Sequence, residues 1–164
     1  MTTSEHPGHS DDLDAESVAQ LLELEPLPHE GGRFRRTHLD AHASVIYFLL
    51  GPDDASAMHR LRGPEVWHHY AGAAARLLLL HPDGRAEELL VGSDLRAGQR
   101  PQVVVPAGVW MGAVTTGSFS LFGMTMAPPY AQADFELGDP DELAAAYPDA
   151  GPLLTAIAGR SPAN

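Results

Sequence analysis

The stretch SAMHRLRGPEVWHHYAG, residues Ser56–Gly72, decides the fold together with PAGVWMGA at Pro106–Ala113. The first stretch places His59, the carboxylate of Glu65 and the pair His68–His69 within one hairpin-length segment that a glycine closes. The second begins with a Pro-x-Gly turn. We interpret the two stretches as strand pairs of a small β-barrel that holds a polar group of side chains inside its mouth.

Composition narrows the class of protein. A chain of 164 residues suits one domain with a sizeable apolar core. No apolar run is long enough for a membrane span, and the polar, acidic start is unlike a secretory signal. The net charge of -12 argues against nucleic acid and anionic membranes as partners. The absence of cysteine excludes disulfides and thiolate ligands and favours a cytoplasmic location.

Helix signals lie at both ends of the chain. Residues 1–14 have the composition of a disordered acidic tail, and 15–160 are expected to form a single domain. An apolar stripe predicts a helix over Ala15–Pro28, with Asp14 or Ser17 as its cap and two prolines at its end. Further helices are expected at the C-terminal end, at about Pro140–Tyr147 and Gly151–Ala158.

Between the helices, short segments of strand character recur at barrel-like spacing, separated by turns rich in Gly, Pro and Asp. They are Arg33–Leu39, Ser44–Leu50, Ser56–Arg62, Glu65–Tyr70, Arg76–His81, Ala86–Val91, Gln102–Val105, Val109–Thr115 and Phe119–Met126. Many short antiparallel strands with a helix at each end indicate a closed barrel or jelly roll.

A series of blocks resembles, in the same order, the Cupin_5 group of the cupin superfamily. They are PHEGGRFRRTH (28–38), SVIYFLLG (44–51), MHRLRGPEVWHHYAG (58–72), LLVGSDLRAGQRPQVVVPAGVWMGA (89–113) and MTMAPPYAQADFEL (124–137). The resemblance implies an all-β fold, a double-stranded β-helix or jelly-roll barrel of the RmlC-like cupin type with short terminal helices. It also implies relationship to deoxysugar epimerases and metal-dependent cupin enzymes, without supplying a reaction.

The cupin pattern of metal ligands is only half present in this chain. Carried over by position, His59 stands at the first histidine and Glu65 at the carboxylate, while Leu61 falls where the second histidine is expected. Met111 replaces the last histidine, where the Cupin_5 group usually has glutamine. The resemblance therefore leaves two of the four ligand positions apolar.

A third ligand could come from the neighbouring histidines. A site of His59, Glu65 and His68 would give a single divalent metal ion two imidazoles and a carboxylate. In a regular strand, however, His69 shares the face of Glu65, and only a bulge would bring His68 there. The choice between His68 and His69, and between one metal ion and no cofactor, stays open at this point.

Metal-free acid–base catalysis is the leading hypothesis. The imidazole of His59 could remove or deliver a proton, and Glu65 could orient it or act as the opposing acid, with His68 as a further catalytic candidate. Tyr47 could protonate an enolate, and Arg35 could hold a substrate carboxylate or phosphate. The substrate would be a small oxygenated metabolite, and the enzyme an isomerase, epimerase, cyclase or lyase.

Other expectations complete this interpretation. His69, Trp110 and Met111 are expected to contribute to substrate binding in the pocket walls. The alternative function is a non-catalytic binding or sensing cupin, in which Glu65 merely pairs with a nearby arginine. A homodimer is expected, because the segments Gly31–Leu39 and Ser44–Leu50 offer strand edges that need cover.

Overall fold

The computed structural model describes residues 13–163, so residues 1–12 of the expected acidic tail lie outside the described part. Strands dominate, with three short helices. In chain order the elements are α1 (Ala15–Leu21), β1 (Glu25–Pro26), β2 (Arg33–Leu39), β3 (Ser44–Leu50), β4 (Ser56–Leu61), β5 (Glu65–Gly72), β6 (Ala75–Leu80), β7 (Ala86–Val91), β8 (Gln102–Val105), β9 (Trp110–Thr115), β10 (Ser120–Met126), β11 (Phe135–Leu137), α2 (Pro140–Ala146) and α3 (Gly151–Arg160).

The strands form two antiparallel sheets. One has the order β1-β2-β3-β10-β5-β8 and the other β11-β4-β9-β6-β7. Strands adjacent in space are mostly distant in sequence, as in β10, which pairs with both β3 and β5. This arrangement of two facing sheets is a jelly-roll barrel, which confirms the predicted all-β class with short helices at both ends.

A layer of aromatic rings fills the middle of the barrel. Phe48, Trp67 and Phe122 are fully buried, and their ring centroids lie 5.2–6.5 Å apart. Such rings exclude water from the interior and fix the separation of the sheets. The layer divides the barrel interior, and a cavity opens on the side where β4 and β5 carry His59 and Glu65.

The helix at the start of the domain is shorter than predicted. It ends at Leu21 instead of Pro28, because Glu23 adopts a positive φ of 54° and residues Glu25–Pro26 pair with β2. Asp14 is the cap: its side chain accepts a hydrogen bond from the backbone N–H of Ser17. No helix within residues 13–163 combines the length and apolar character needed to cross a membrane.

Candidate functional site

A cavity of about 240 Å³ lies at one end of the barrel between the two sheets. Its walls are mostly apolar, with a small set of polar side chains that converge on it. The lining residues are Leu27, Pro28, His29, Glu30, Phe34, Arg36, Ser44, Ile46, Phe48, His59, Leu61, Glu65, Met124, Met126, Tyr130, Gln132 and Phe135. An apolar cavity with a few converging polar groups is the usual form of a small-molecule site.

His59 is held in one orientation by its neighbours. Its ring is buried, stacks on Phe135 at a centroid distance of 5.3 Å, and places Nδ1 2.7 Å from the backbone oxygen of Ala57. A carbonyl oxygen can only accept, so Nδ1 carries the hydrogen and donates it. In the neutral ring, Nε2 is therefore left with its lone pair as the basic atom.

A carboxylate that the sequence analysis did not select lies next to this basic atom. Glu30, in the loop before β2, has Oε1 3.7 Å from Nε2 of His59. The Ser56 hydroxyl donates to the same oxygen at 3.0 Å, and the backbone oxygen of Glu30 accepts from Ala57 N at 2.8 Å. Both contacts anchor Glu30 to β4, where it can stabilise an imidazolium.

Glu65 begins β5 and is almost entirely buried, with an exposed fraction of 9%. Burial, reinforced by the negative charge of Glu30, raises the pKa of Glu65 to about 8. Its carboxyl group is therefore protonated at neutral pH and can donate a hydrogen bond or a proton. The cavity thus holds one buried carboxyl group that keeps its proton at neutral pH and a second carboxyl group next to the His59 imidazole.

Tyr130 covers the polar side of the cavity from the loop that follows β10. Its backbone N–H donates to the Ser44 hydroxyl at 2.8 Å, and its phenol donates to Gln132 at 3.0 Å. Burial, with the charges of Glu30 and Glu65, raises the pKa of this phenol. Tyr130 is therefore a neutral hydrogen-bonding group at neutral pH.

The structure brings together His59 and Glu65 but does not add either neighbouring histidine. His68 lies on the outer face of β5, where its Nε2 is 3.2 Å from the Thr125 hydroxyl and its ring stacks on Tyr70. His69 shares the inner face, yet its ring lies against Phe122 and its Nε2 donates to the Ala73 oxygen. The aromatic layer separates it from the cavity. The expected role of His68 in catalysis and of His69 in binding is therefore not supported by their positions.

The other expected binding residues also lie outside the cavity. Arg35 and Tyr47 are cross-strand partners on the outer face, where Arg35 pairs with Glu23 at 2.6 Å. Trp110 packs beneath the Arg60 guanidinium and against the C-terminal helices. Met111 is buried in the core. Strand alternation explains why Arg35 does not line the cavity. Arg36, one position later, is on the opposite face of the strand and lines the cavity together with Phe34.

The donor set does not fit a metal centre of the cupin type. Leu61 lines the cavity where a histidine ligand is expected, and Met111 is buried behind it. Since His68 is on the opposite face, the expected set of His59, Glu65 and His68 is not assembled. Across residues 13–163, no three His, Asp or Glu side chains are arranged to hold a metal ion. Of the expected set only His59 and Glu65 line the cavity, and the further carboxylate there, Glu30, accepts a hydrogen bond from the Ser56 hydroxyl.

Among the polar residues of the site that the sequence analysis did not select are Glu30, Arg36 and Tyr130. Glu30 and Tyr130 lie in loops, where the direction of side chains has no periodicity. Arg36 was missed because the neighbouring Arg35 was selected instead. The available signal was that the blocks PHEGGRFRRTH and MTMAPPYAQADFEL contain all three. Loop residues held against a rigid scaffold commonly carry function.

The architecture is that of a cupin. The Cupin_5 family model, described as cupin superfamily (DUF985), matches residues 16–138. The chain belongs to this family, which confirms the resemblance read from the sequence blocks.

Two similar solved structures cover most of this chain, and a curated relative matches part of it. Protein SO0799 from Shewanella oneidensis is 32% identical with a TM-score of 0.81, over 93% of this chain and 99% of that one. A hypothetical protein from Leishmania major is 27% identical with a TM-score of 0.78, over 87% and 97% of the two chains. The uncharacterized protein YML079W of Saccharomyces cerevisiae is 31% identical over 68 residues, 42% of this chain. The matched part spans about a third (34%) of that curated relative.

More distant structures share the fold alone. An oxalate decarboxylase from Bacillus subtilis has a TM-score of 0.57 at 12% identity, over 77% of this chain and 35% of that one. A Streptomyces PAC13 structure with uridine has a TM-score of 0.53 at 14% identity, over 72% and 87%. Cupins of known activity therefore use this scaffold, while the chemistry of the present chain has to be argued from its own residues.

Proposed function

We propose that this protein is an enzyme that transfers protons on a small oxygenated organic molecule bound in the barrel cavity. One observation carries the proposal: the basic nitrogen of His59 and the protonated carboxyl group of Glu65 line the same small cavity. Neighbouring groups whose environments favour opposite protonation states are typical of acid–base catalysis.

His59 is the base in this scheme. Its Nε2 removes a proton from a carbon next to a carbonyl group, and the C–H electron pair moves toward the carbonyl oxygen. The imidazolium that forms lies 3.7 Å from the Glu30 carboxylate, which neutralises it. Because Ser56 holds that carboxylate in place, little reorganisation is needed when the charge appears.

Glu65 is the acid. Its carboxyl group donates a hydrogen bond or a proton to the developing oxyanion. The resulting enol then takes a proton at carbon from the His59 imidazolium and returns its hydroxyl proton to Glu65 as the carbonyl group forms again. Return to the same carbon after the enol has turned its other face toward His59 gives an epimer, and return to a neighbouring carbon gives an isomer. Cyclisation or elimination would begin from the same enol, so the proposal covers isomerases, epimerases, cyclases and lyases.

Hydrogen–deuterium exchange at carbon tests this proposal. Candidate carbonyl compounds are incubated with the protein in D2O, and deuterium uptake next to the carbonyl is followed by NMR. We expect H59Q and E65Q to slow exchange by about 10²- to 10⁴-fold, the usual contribution of a general acid or base.

H68Q is the matched control, because His68 is a histidine of the same strand that faces outward. It should retain the exchange rate of the unaltered protein. Exchange that is equally fast in all these proteins, or turnover that survives in H59Q and E65Q, would contradict the proposed chemistry.

A further inference from the structure

Arg36 differs from the other arginines at its end of the barrel. Arg33 and Arg35 point away from the cavity and form ion pairs with Glu16 at 2.8 Å and Glu23 at 2.6 Å. Arg36 lines the cavity rim, and within residues 13–163 no carboxylate lies within 4.0 Å of its guanidinium. Its hydrogen-bond donors are therefore available to a bound molecule.

The inner end of the cavity carries a negative charge, in contrast to the positive charge of Arg36 at the rim. The Glu30 carboxylate lies there beside His59, and Glu65 is a neutral hydrogen-bond donor at neutral pH. A second anion at this end would be repelled by Glu30 in a poorly hydrated space. Carbonyl or hydroxyl groups, by contrast, could bond to Glu65 and His59 without that cost.

The region between rim and inner end is apolar. Phe34, Ile46 and Phe135 supply ring and aliphatic surface, and the whole space is about 240 Å³. This volume is below the roughly 300–1,000 Å³ of sites for drug-sized ligands. A compact ring fills such a space, whereas a nucleotide-sized molecule exceeds it.

We infer that the substrate is a small cyclic organic acid, bound with its carboxylate on Arg36 at the rim and a hydroxyl or carbonyl group at the inner end. A planar carboxylate accepts two parallel hydrogen bonds from one guanidinium. A phosphate dianion would need further cationic partners, and Arg36 is the one arginine among the residues that line the cavity. This inference rests on the proposed function, since it names the substrate class of the same site.

Matched probes test the inference by binding alone. The probes are 4-hydroxybenzoate, 4-hydroxybenzamide, 4-hydroxybenzylamine and 4-hydroxyphenyl phosphate, titrated by NMR. They share a ring and an inner hydroxyl group and differ in the charge of the outer group. We expect 4-hydroxybenzoate to bind at least about tenfold more tightly than each of the others, as a charge-assisted hydrogen bond predicts.

The variants R36Q and R35Q make the result specific. R36Q should abolish the preference for the carboxylate, while R35Q, altered one position away on the outer face, should keep it. The inference is overturned if the amide, amine or phosphate binds as well as the carboxylate, if R36Q keeps the preference, or if no probe binds saturably.

Binding and catalysis fail independently in these experiments. Carboxylate preference without proton exchange at any carbon would refute the proposed function and keep the inferred ligand class. Proton exchange that requires His59 and Glu65 but acts on neutral or cationic molecules would keep the proposed function and refute the inferred ligand class.

Discussion

Glu65 shows how position within a fold changes the chemistry of a single side chain. A glutamate on the surface is ionised at neutral pH, whereas this one is enclosed beside the Glu30 carboxylate and keeps its proton. Glu30 is tied to the Ser56 hydroxyl and lies beside an imidazole. Two residues of one type therefore have different surroundings in one cavity.

This difference predicts a pH dependence of stability. The pKa of Glu65 rises from an ordinary value of 4.5 to about 8 on folding. Between these values the folded chain binds the extra proton, so this group makes the free energy of unfolding fall as pH rises, levelling off above about 8. The slope approaches about 1.4 kcal/mol per pH unit. Urea unfolding at a series of pH values measures it.

Three glutamine variants separate Glu65 from the other titrating groups. E65Q should flatten the slope and be more stable than the unaltered protein at alkaline pH, whereas E25Q, at an exposed strand position, should leave the slope unchanged. E30Q should lower the pKa of Glu65, because one source of the shift is removed. An unchanged slope in E65Q would show that Glu65 is ionised in the folded protein.

At the residue scale, the sequence indicates a position most directly where a motif fixes it. His59 and Glu65 were selected through their place in the cupin pattern, and both line the cavity. Arg35 was selected from RFRR, in which alternation alone does not say which arginine faces inward. Glu30 was missed because only the folded chain brings its loop against β4.

At the scale of elements, the irregularity in β5 decides which histidine faces inward. Along β10, Phe122 pairs with His69 and the next residue, Leu121, with Ala71, so the extra residue of the bulge is Tyr70. Alternation from Glu65 to His69 is therefore intact, and His68 points outward. Sequence periodicity left open whether His68 or His69 faces inward, because the position of the bulge depends on packing against β10.

The loop that carries Glu30 is held against β4 by a close backbone approach. Gly31 has φ of +97°, and a Cβ added there would lie 2.4 Å from the Ala55 oxygen. We therefore expect G31A to lower the free energy of unfolding by about 3 kcal/mol or more, from backbone strain and a steric clash together. Urea denaturation measures the loss.

Gly84 provides the matched comparison. It has a similar φ of +89°, but no atom lies within 4 Å of an added Cβ. G84A should therefore cost only about 1–2 kcal/mol, the conformational part of the effect. Equal losses in the two variants would mean that the approach of Gly31 to β4 does not constrain the loop.

At the scale of the whole molecule, the sequence predicted most of the architecture. Strands β2, β3, β7 and β8 have the predicted bounds, and the other predicted strands differ by one or two residues at one or both ends. Strands β1 and β11 were not predicted. Each has only two or three residues and exists through its partner, β2 or β4, so no local pattern marks it.

We propose that the protein forms a homodimer. Strand β2 pairs with β3 along its length, but on its other edge only Arg33 and Phe34 have a strand partner within the described residues. Leu39, at the end of this edge, is 52% exposed. Unpaired edges favour association with a second chain.

Light scattering checks the assembly. We expect a mass of twice the 17.5 kDa of one chain. The variant L39D, which places a charge at the exposed edge, should shift the population toward the single chain. A mass of 17.5 kDa for the unaltered protein at micromolar concentration would rule out the dimer.

The aromatic layer of Phe48, Trp67 and Phe122 has a consequence for kinetics. Its rings pack the barrel interior next to the cavity, and Phe48 is itself part of the lining, so we expect molecules to enter and leave on the side where Arg36 is exposed. An incoming reactant therefore has to wait until the converted molecule has left. Product should accordingly compete with substrate, and fast turnover requires that Arg36 hold the outgoing acid no more tightly than the incoming one.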